Sequence, residues 1–116
     1  MDLGTMVSVV TRRRRLPRPM RRLLLEEFEV VVQPLVRFKR NGAWYIADGQ
    51  ICPERRVIRI SCRLPLSERV LTLLHELVHA VHPRLDEAAV ERRARWLRDH
   101  LVDEDLALLE AFCQGG

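Results

Sequence analysis

Leu74-His-Glu-Leu-Val-His-Ala80, LHELVHA, lies in the longest helical pattern of the chain. On a helix, side chains four apart project from one face, so His75 and His79 can reach the same point in space. They belong to the run LPLSERVLTLLHELVHAVH. Here Val70, Leu73, Leu74, Leu77, Val78 and Val81 follow the i, i+3, i+4, i+7, i+8, i+11 spacing of a core-facing stripe. The pattern predicts a helix with Ser67 as N-cap that ends before Pro83. Either the two histidines converge on something, or they are ordinary polar residues of a core helix.

On the C-terminal side a short break, PRL, leads to Asp86 as the next N-cap. The helix EAAVERRARWLRDHL then places Val90, Ala94, Leu97 and Leu101 on one face. A last helix, about 104 to 113, turns Leu106, Leu109 and Phe112 inward. On the N-terminal side, RVIRISC alternates, with Val57 and Arg59 on one face and Ile58 and Ile60 on the other. LVRFKRNGAWYIADGQI alternates around Asn41-Gly42, the pair favoured by a type I′ hairpin turn. Three short antiparallel strands ending at Cys62 are expected. Before them, PMRRLLLEEFEVVVQ reads as a helix with Pro19 in its first turn, whose β-branched second half could instead be a strand. Pro34 ends it. Residues 1–18 read as a flexible basic arm and 19–116 as one α+β domain.

The chain has 116 residues, 47 % of them hydrophobic and 31 % charged, which suits a globular domain and not a disordered one. No apolar run approaches the ~20 residues of a membrane span. The apolar stretch Met6–Val10 precedes the basic run, the reverse of a secretory signal, so a cytoplasmic location is expected. Cys52, Cys62 and Cys113 are odd in number and form no CxxC pair, which disfavours a disulfide framework or a cysteine zinc site. Cys52 and Cys62 flank a hairpin and could lie close together, but the preferred reading of all three is as small buried hydrophobes in a reducing compartment. The formal net charge of +4 comes from nineteen arginines and one lysine, Lys39. Nothing about exposed positions demands that ratio, whereas GC-rich codons explain it, so the basic balance is discounted as a sign of nucleic-acid binding. Contact through Arg12–Arg15 is possible but not favoured; such runs are more often solvated.

Neutral imidazole suits zinc, and a catalytic zinc takes three protein ligands and leaves a fourth position to water. In the H-E-x-x-H pattern Glu76 acts as general base on that water, whose pKa the metal lowers to about 7. The third ligand is sought on the next helix. Glu87 flanks the inward stripe three residues before Val90, and Glu91 lies further round, nearer solvent. Glu87 is preferred, with Glu91 as the alternative; their ordinary readings are helix-dipole complementarity and a solvated salt bridge. His82 shares the face of His75 and His79 but sits about 10 Å along the axis from His75, too far to share one ion comfortably. His100 reads as a surface or C-cap residue, and Tyr45 as a packing residue.

VIRISCRLPLSERVLTLLHELVHAVHPRLDEAAVERRARWL resembles the zincin metallopeptidases, in particular the compact ImmA/IrrE-like and phage SprT-like groups. It has the strand, the linker, the HExxH helix, a short turn and a helix of the form E-x-x-V-x-x-x-A-x-x-L. In the ImmA/IrrE-like group a similar pattern carries the third ligand at its leading glutamate, which on this chain is Glu87. The spacing is shorter here, with Glu87 only eight residues after His79. The resemblance implies one zinc ion, peptidase activity, often on regulatory or DNA-bound proteins, and partners in phage or mobile-element biology. A substrate strand would pair with an exposed sheet edge, expected at Val57, Ile58, Arg59, Ile60 and Ser61. The alternative is a catalytically silent zincin-like domain that binds a protein or DNA partner.

Overall fold

The computed structural model describes residues 13–115, and in it the segment from Pro19 divides between helix and strand. Helix α1, Arg18–Arg22, runs into a wider π-type turn, Leu23–Glu27, which Phe28 N–H closes on the Leu23 carbonyl at 2.8 Å. The chain then extends as β1, Glu29–Gln33, whose valines prefer a pleated surface. Strands β2 (Val36–Arg40) and β3 (Ala43–Ala47) follow, then β4 (Gly49–Cys52) and β5 (Val57–Ser61).

In place of the expected single sheet of three antiparallel strands, the described residues form two sheets, one mixed and three-stranded, the other two-stranded. One sheet has the order β1-β5-β4, with β1 parallel and β4 antiparallel to β5. The other is the β2-β3 hairpin alone. Its turn is as expected: Asn41 and Gly42 both have positive φ, 52° and 82°, as a type I′ turn requires. Strand β5 is central, not an edge. Ile58 and Ile60 are fully buried beneath the helices, paired with Val30 and Val32 on one side and Ile51 and Gly49 on the other. The opposite face carries Val57, Arg59 and Ser61, and there Arg59 donates to Gln50. Alternation records which face is buried and says nothing about lateral neighbours.

Of the three helices that follow, α2 (Leu66–Val81), α3 (Glu87–His100) and α4 (Asp103–Cys113), the first and last lie against the sheet and α3 packs on α2. The stripe read from the sequence is the core, with Leu73, Leu74, Leu77 and Val78 inaccessible and Val90, Ala94, Leu97 and Leu101 facing them. Burying one such leucine or valine is worth about 1.5–3 kcal/mol. Asp86 caps α3 as expected, accepting from Ala89 N–H at 2.8 Å. Ser67 does not cap α2; the helix starts at Leu66 after Pro65, and no side chain caps it. Instead Arg69 reaches back to the Leu64 and Cys62 carbonyls, both at 2.8 Å, and to the Cys113 carbonyl at 2.9 Å. One guanidinium thus ties the entry of α2 to the end of α4. Among the described residues, no helix is long and apolar enough to cross a membrane.

Residues 13–18 of the expected arm pack with the domain expected to start at Pro19 and lie against the start of α4, whereas Met1–Arg12 fall outside the described residues. Arg14 pairs with Leu101 as a parallel bridge, donating to the His100 carbonyl at 2.6 Å and accepting from Val102 N–H at 2.8 Å. Leu16 is buried and its N–H donates to Asp105 at 2.6 Å, with Arg21 on the other carboxylate oxygen at 3.3 Å. This shifts the inward face of α4 to Asp105, Leu109 and Cys113, leaving Leu106 and Phe112 only partly buried.

All three cysteines are free. Cys52 and Cys62 are not neighbours: Cys52 pairs with Val57, and Cys62 lies five residues further along, roughly 16 Å of strand away. Burial pushes the Cys113 thiol up to about 12, with Arg69 pulling it down and Glu110 pushing it up. About one thiol in ten thousand would then be ionised at pH 8, and only the thiolate is nucleophilic. Iodoacetamide at pH 8 is therefore expected to label half-buried Cys52 and Cys62 but not Cys113 until denaturant is added, as read by peptide mass spectrometry. Labelling of Cys113 at the rate of the other two in the native protein would contradict this packing.

Candidate metal centre

His75 and His79 occupy successive turns of α2, and the tight connection from His82 to Asp86 folds the first turn of α3 back beside them. Glu87 meets both rings, with Oε1 at 3.1 Å from His75 Nε2 and Oε2 at 2.8 Å from His79 Nε2. One ligating atom from each of the three residues lies within 4.8 Å of the others. Glu91 takes a different place, its Oε1 3.0 Å from His75 Nδ1 and its Oε2 held by Arg95 Nε at 2.8 Å. The two glutamates thus meet opposite nitrogens of the same ring.

The exposures run against the helical-wheel argument, which put Glu87 nearer the interior. The Glu87 side chain is 76 % exposed and that of Glu91 38 %. Glu87 stands at the start of α3, where no further turn covers it, while Glu91 one turn on faces α2. Position along the helix axis, which a wheel does not represent, sets the order of exposure here.

Each ring nitrogen donates or accepts according to its tautomer: Nε2 of His75 and of His79 either donates its N–H to Glu87 or, with the proton on Nδ1, turns a lone pair to the same point. In the second arrangement the two lone pairs and the Glu87 carboxylate converge as a cation would require. Two neutral imidazoles and one carboxylate are a donor set suited to zinc, and a carboxylate on the far ring nitrogen is the usual support of a ligating histidine.

Glu76 lies beside this group. Burial pushes its carboxyl above the ordinary range, the neighbouring His75 and His79 pull it down, and Glu87 pushes it up. A cleft of about 270 Å³ runs between α2 and β4, lined by Gly49, Thr72, His75, Glu76, Glu91 and Arg95 among others. Gly49 permits that approach. A methyl group there would overlap Thr72 Cγ2 and stand 3.1 Å from the Arg59 carbonyl and 3.8 Å from Glu76 Oε2. A larger groove, about 920 Å³, lies between α1 and the end of α2 and holds none of His75, Glu76 or Glu91.

Val57–Ser61 has a neighbour on both sides and cannot accept a third strand; the sheet edge along the cleft is β4, Gly49–Cys52. His82 is exposed at the end of α2, His100 stacks on Trp96 at 4.4 Å, and Tyr45 stacks on Phe38 at 5.6 Å in the hairpin. Sequence reasoning missed Gly49, Thr72 and Arg95. Thr72 is four residues before Glu76 and Arg95 four after Glu91, so helical spacing carried a signal for both. Nothing local marks Gly49. No family model, no curated protein and no solved structure matches this chain.

Proposed function

We propose that this chain is a zinc-dependent metallopeptidase in which Glu76 is the general base, a compact zincin-like domain. The observation that carries the reading is the meeting of His75 Nε2, His79 Nε2 and the Glu87 carboxylate beside Glu76. His75, His79 and Glu87 would hold the ion, and Glu91 would fix the His75 ring. When bound, such an ion polarises a carbonyl oxygen and acidifies water. Glu76 takes the proton from the attacking water on its carboxylate and later gives it to the leaving amine. Burial supports this role, since a desolvated carboxylate is a stronger base than one in water. A peptide would lie extended along β4, its main chain pairing with the free edge of Gly49–Cys52. Arg95 and Thr72 line the same cleft and can bond the substrate carbonyls.

The test is the metal content of protein purified without added metal or a histidine tag. Near-stoichiometric zinc is expected in the wild type and its loss in His79→Ala and Glu87→Ala. Glu91→Ala is expected to keep the site with affinity weakened about 10–100-fold, the usual cost of losing such a support. A wild type that takes up no metal even after soaking with zinc would end the peptidase reading. Loss of metal in Glu91→Ala together with retention in Glu87→Ala would exchange the roles of the two glutamates.

A further inference from the structure

We infer that the β2-β3 hairpin is a binding surface for single-stranded nucleic acid, separate from the metal centre. The hairpin pairs with no other strand, and only Val36 at its base is buried among its residues. Beyond that anchor it displays Trp44, Tyr45 and Ile46, at 63, 48 and 71 % exposure. Isolated two-stranded ribbons are marginal, and exposed aromatic clusters of this size usually serve an interaction. Between Val36 and Ala47 the sequence carries Arg37, Lys39 and Arg40 and no acidic residue. None of the three forms an ion pair with a described residue.

The arrangement of charge and ring selects the partner. The register puts Lys39 opposite Trp44 and Arg37 opposite Ile46 on one face, and Phe38 opposite Tyr45, with Arg40 beside them, on the other. Arg37 and Lys39 lie 5.4 and 5.8 Å from the centre of the Trp44 ring, and Arg40 5.4 Å from that of Phe38. Even with two cations against it, the Trp44 ring stays mostly open. Each face therefore offers a flat π surface with cations beside it, the combination that takes an unstacked base and its phosphate. A protein-binding face would be depleted of lysine at its centre. A membrane-binding segment would gather its apolar residues on one side, whereas here both faces are charged. A duplex keeps its bases stacked and closed to the rings. The Arg12–Arg15 run is a poorer candidate, because Arg13 and Arg15 pair with Asp103, Glu104 and Asp105.

The experiment is fluorescence anisotropy of a labelled oligothymidylate of about 15 nucleotides, titrated with the full chain over a series of salt concentrations in the presence of chelator. Binding to the single strand is expected, tighter than to a duplex of equal length. Trp44→Ala should weaken it about tenfold or more, and Trp44→Phe should retain most of it. Joint replacement of Arg37, Lys39 and Arg40 by alanine should reduce the slope of log affinity against log salt by about 2. Unchanged thermal melting shows that the variants remain folded; if Trp44→Ala does not, the joint variant decides. Three outcomes overturn the inference: no binding at low salt, binding indifferent to Trp44 and the three cations, or duplex binding at least as tight. Association with vesicles of anionic phospholipid but not with the oligonucleotide also overturns it, and makes the hairpin a membrane-surface element.

Discussion

Glu76→Gln is expected to lower peptide hydrolysis by about 10²–10⁴-fold, the range that general acid–base catalysis contributes, and to leave zinc content unchanged. The amide keeps the shape of the side chain and loses the ability to take a proton. Glu76 is the one carboxylate of the cluster that neither meets a histidine nitrogen at hydrogen-bond distance nor stands on the exposed start of a helix. Metal binding should therefore be indifferent to the change. Stability should hold or rise, because burial penalises the carboxylate and an amide escapes that penalty. Activity in a peptide-library digest, metal content and melting temperature measured together test all three parts. Turnover that survives the substitution would remove Glu76 from the chemistry. Equal and negligible turnover of both proteins on every peptide tried, with zinc bound, would favour a silent domain that uses the ion structurally.

Asp105→Ala is expected to cost about 3 kcal/mol of folding stability, a fall in Tm of roughly 10–20 °C for a domain of this size. The carboxylate is 2 % exposed and accepts from Leu16 N–H at 2.6 Å and from Arg21 at 3.3 Å, with Arg15 3.6 Å away. Removing it leaves a buried N–H without an acceptor and takes from the N-terminal segment its anchor on α4. The lower part of the range for broken buried pairs applies, because the Arg15 and Arg21 side chains remain 62 and 43 % exposed and water takes over part of their solvation. Asp105→Asn keeps an acceptor for Leu16 and should cost less. Guanidinium denaturation of the three proteins gives the comparison, and a loss below 1 kcal/mol in Asp105→Ala would show that residues 13–18 contribute little to the fold.

What the sequence disclosed depended on the range of the interactions involved. The helices around LHELVHA were legible because their signals are local: a stripe repeating every three or four residues, an aspartate cap, a proline beyond the end. The Asn41-Gly42 turn was legible for the same reason. The β-branched residues of β1 pointed to a strand, but its parallel pairing with β5 was not legible, because the register is set by Glu29 meeting Val57, far along the chain. The central position of β5 was hidden, since Ile58 and Ile60 alternate with polar residues at an edge or in the middle alike. Nothing local distinguishes Asp105 from any acid in the first turn of a helix; its role depends on Leu16, far back along the chain. At the candidate site the pair His75 and His79 followed from helical spacing. The meeting of Glu87 and Glu91 with opposite nitrogens of one ring depended on how the connection after His82 aims α3. Gly49 became meaningful only beside Thr72.

The pairing of Arg14 with Leu101, and of Leu16 with Asp105, constrains the order in which this chain can fold as it is made. Arg14 and Leu16 receive these partners only after residue 105 has left the ribosome. Until then Met20, Leu24 and the inner face of α2 lack one of their covering layers. Helix α2 can form early, since its hydrogen bonds are local, whereas α4, which covers its apolar face, is made later. Such long-range closure is slow and leaves apolar surface open meanwhile. A zinc ion captured by His75, His79 and Glu87 would pin α2 to α3 during that interval, so metal supply during synthesis should influence the yield of folded protein.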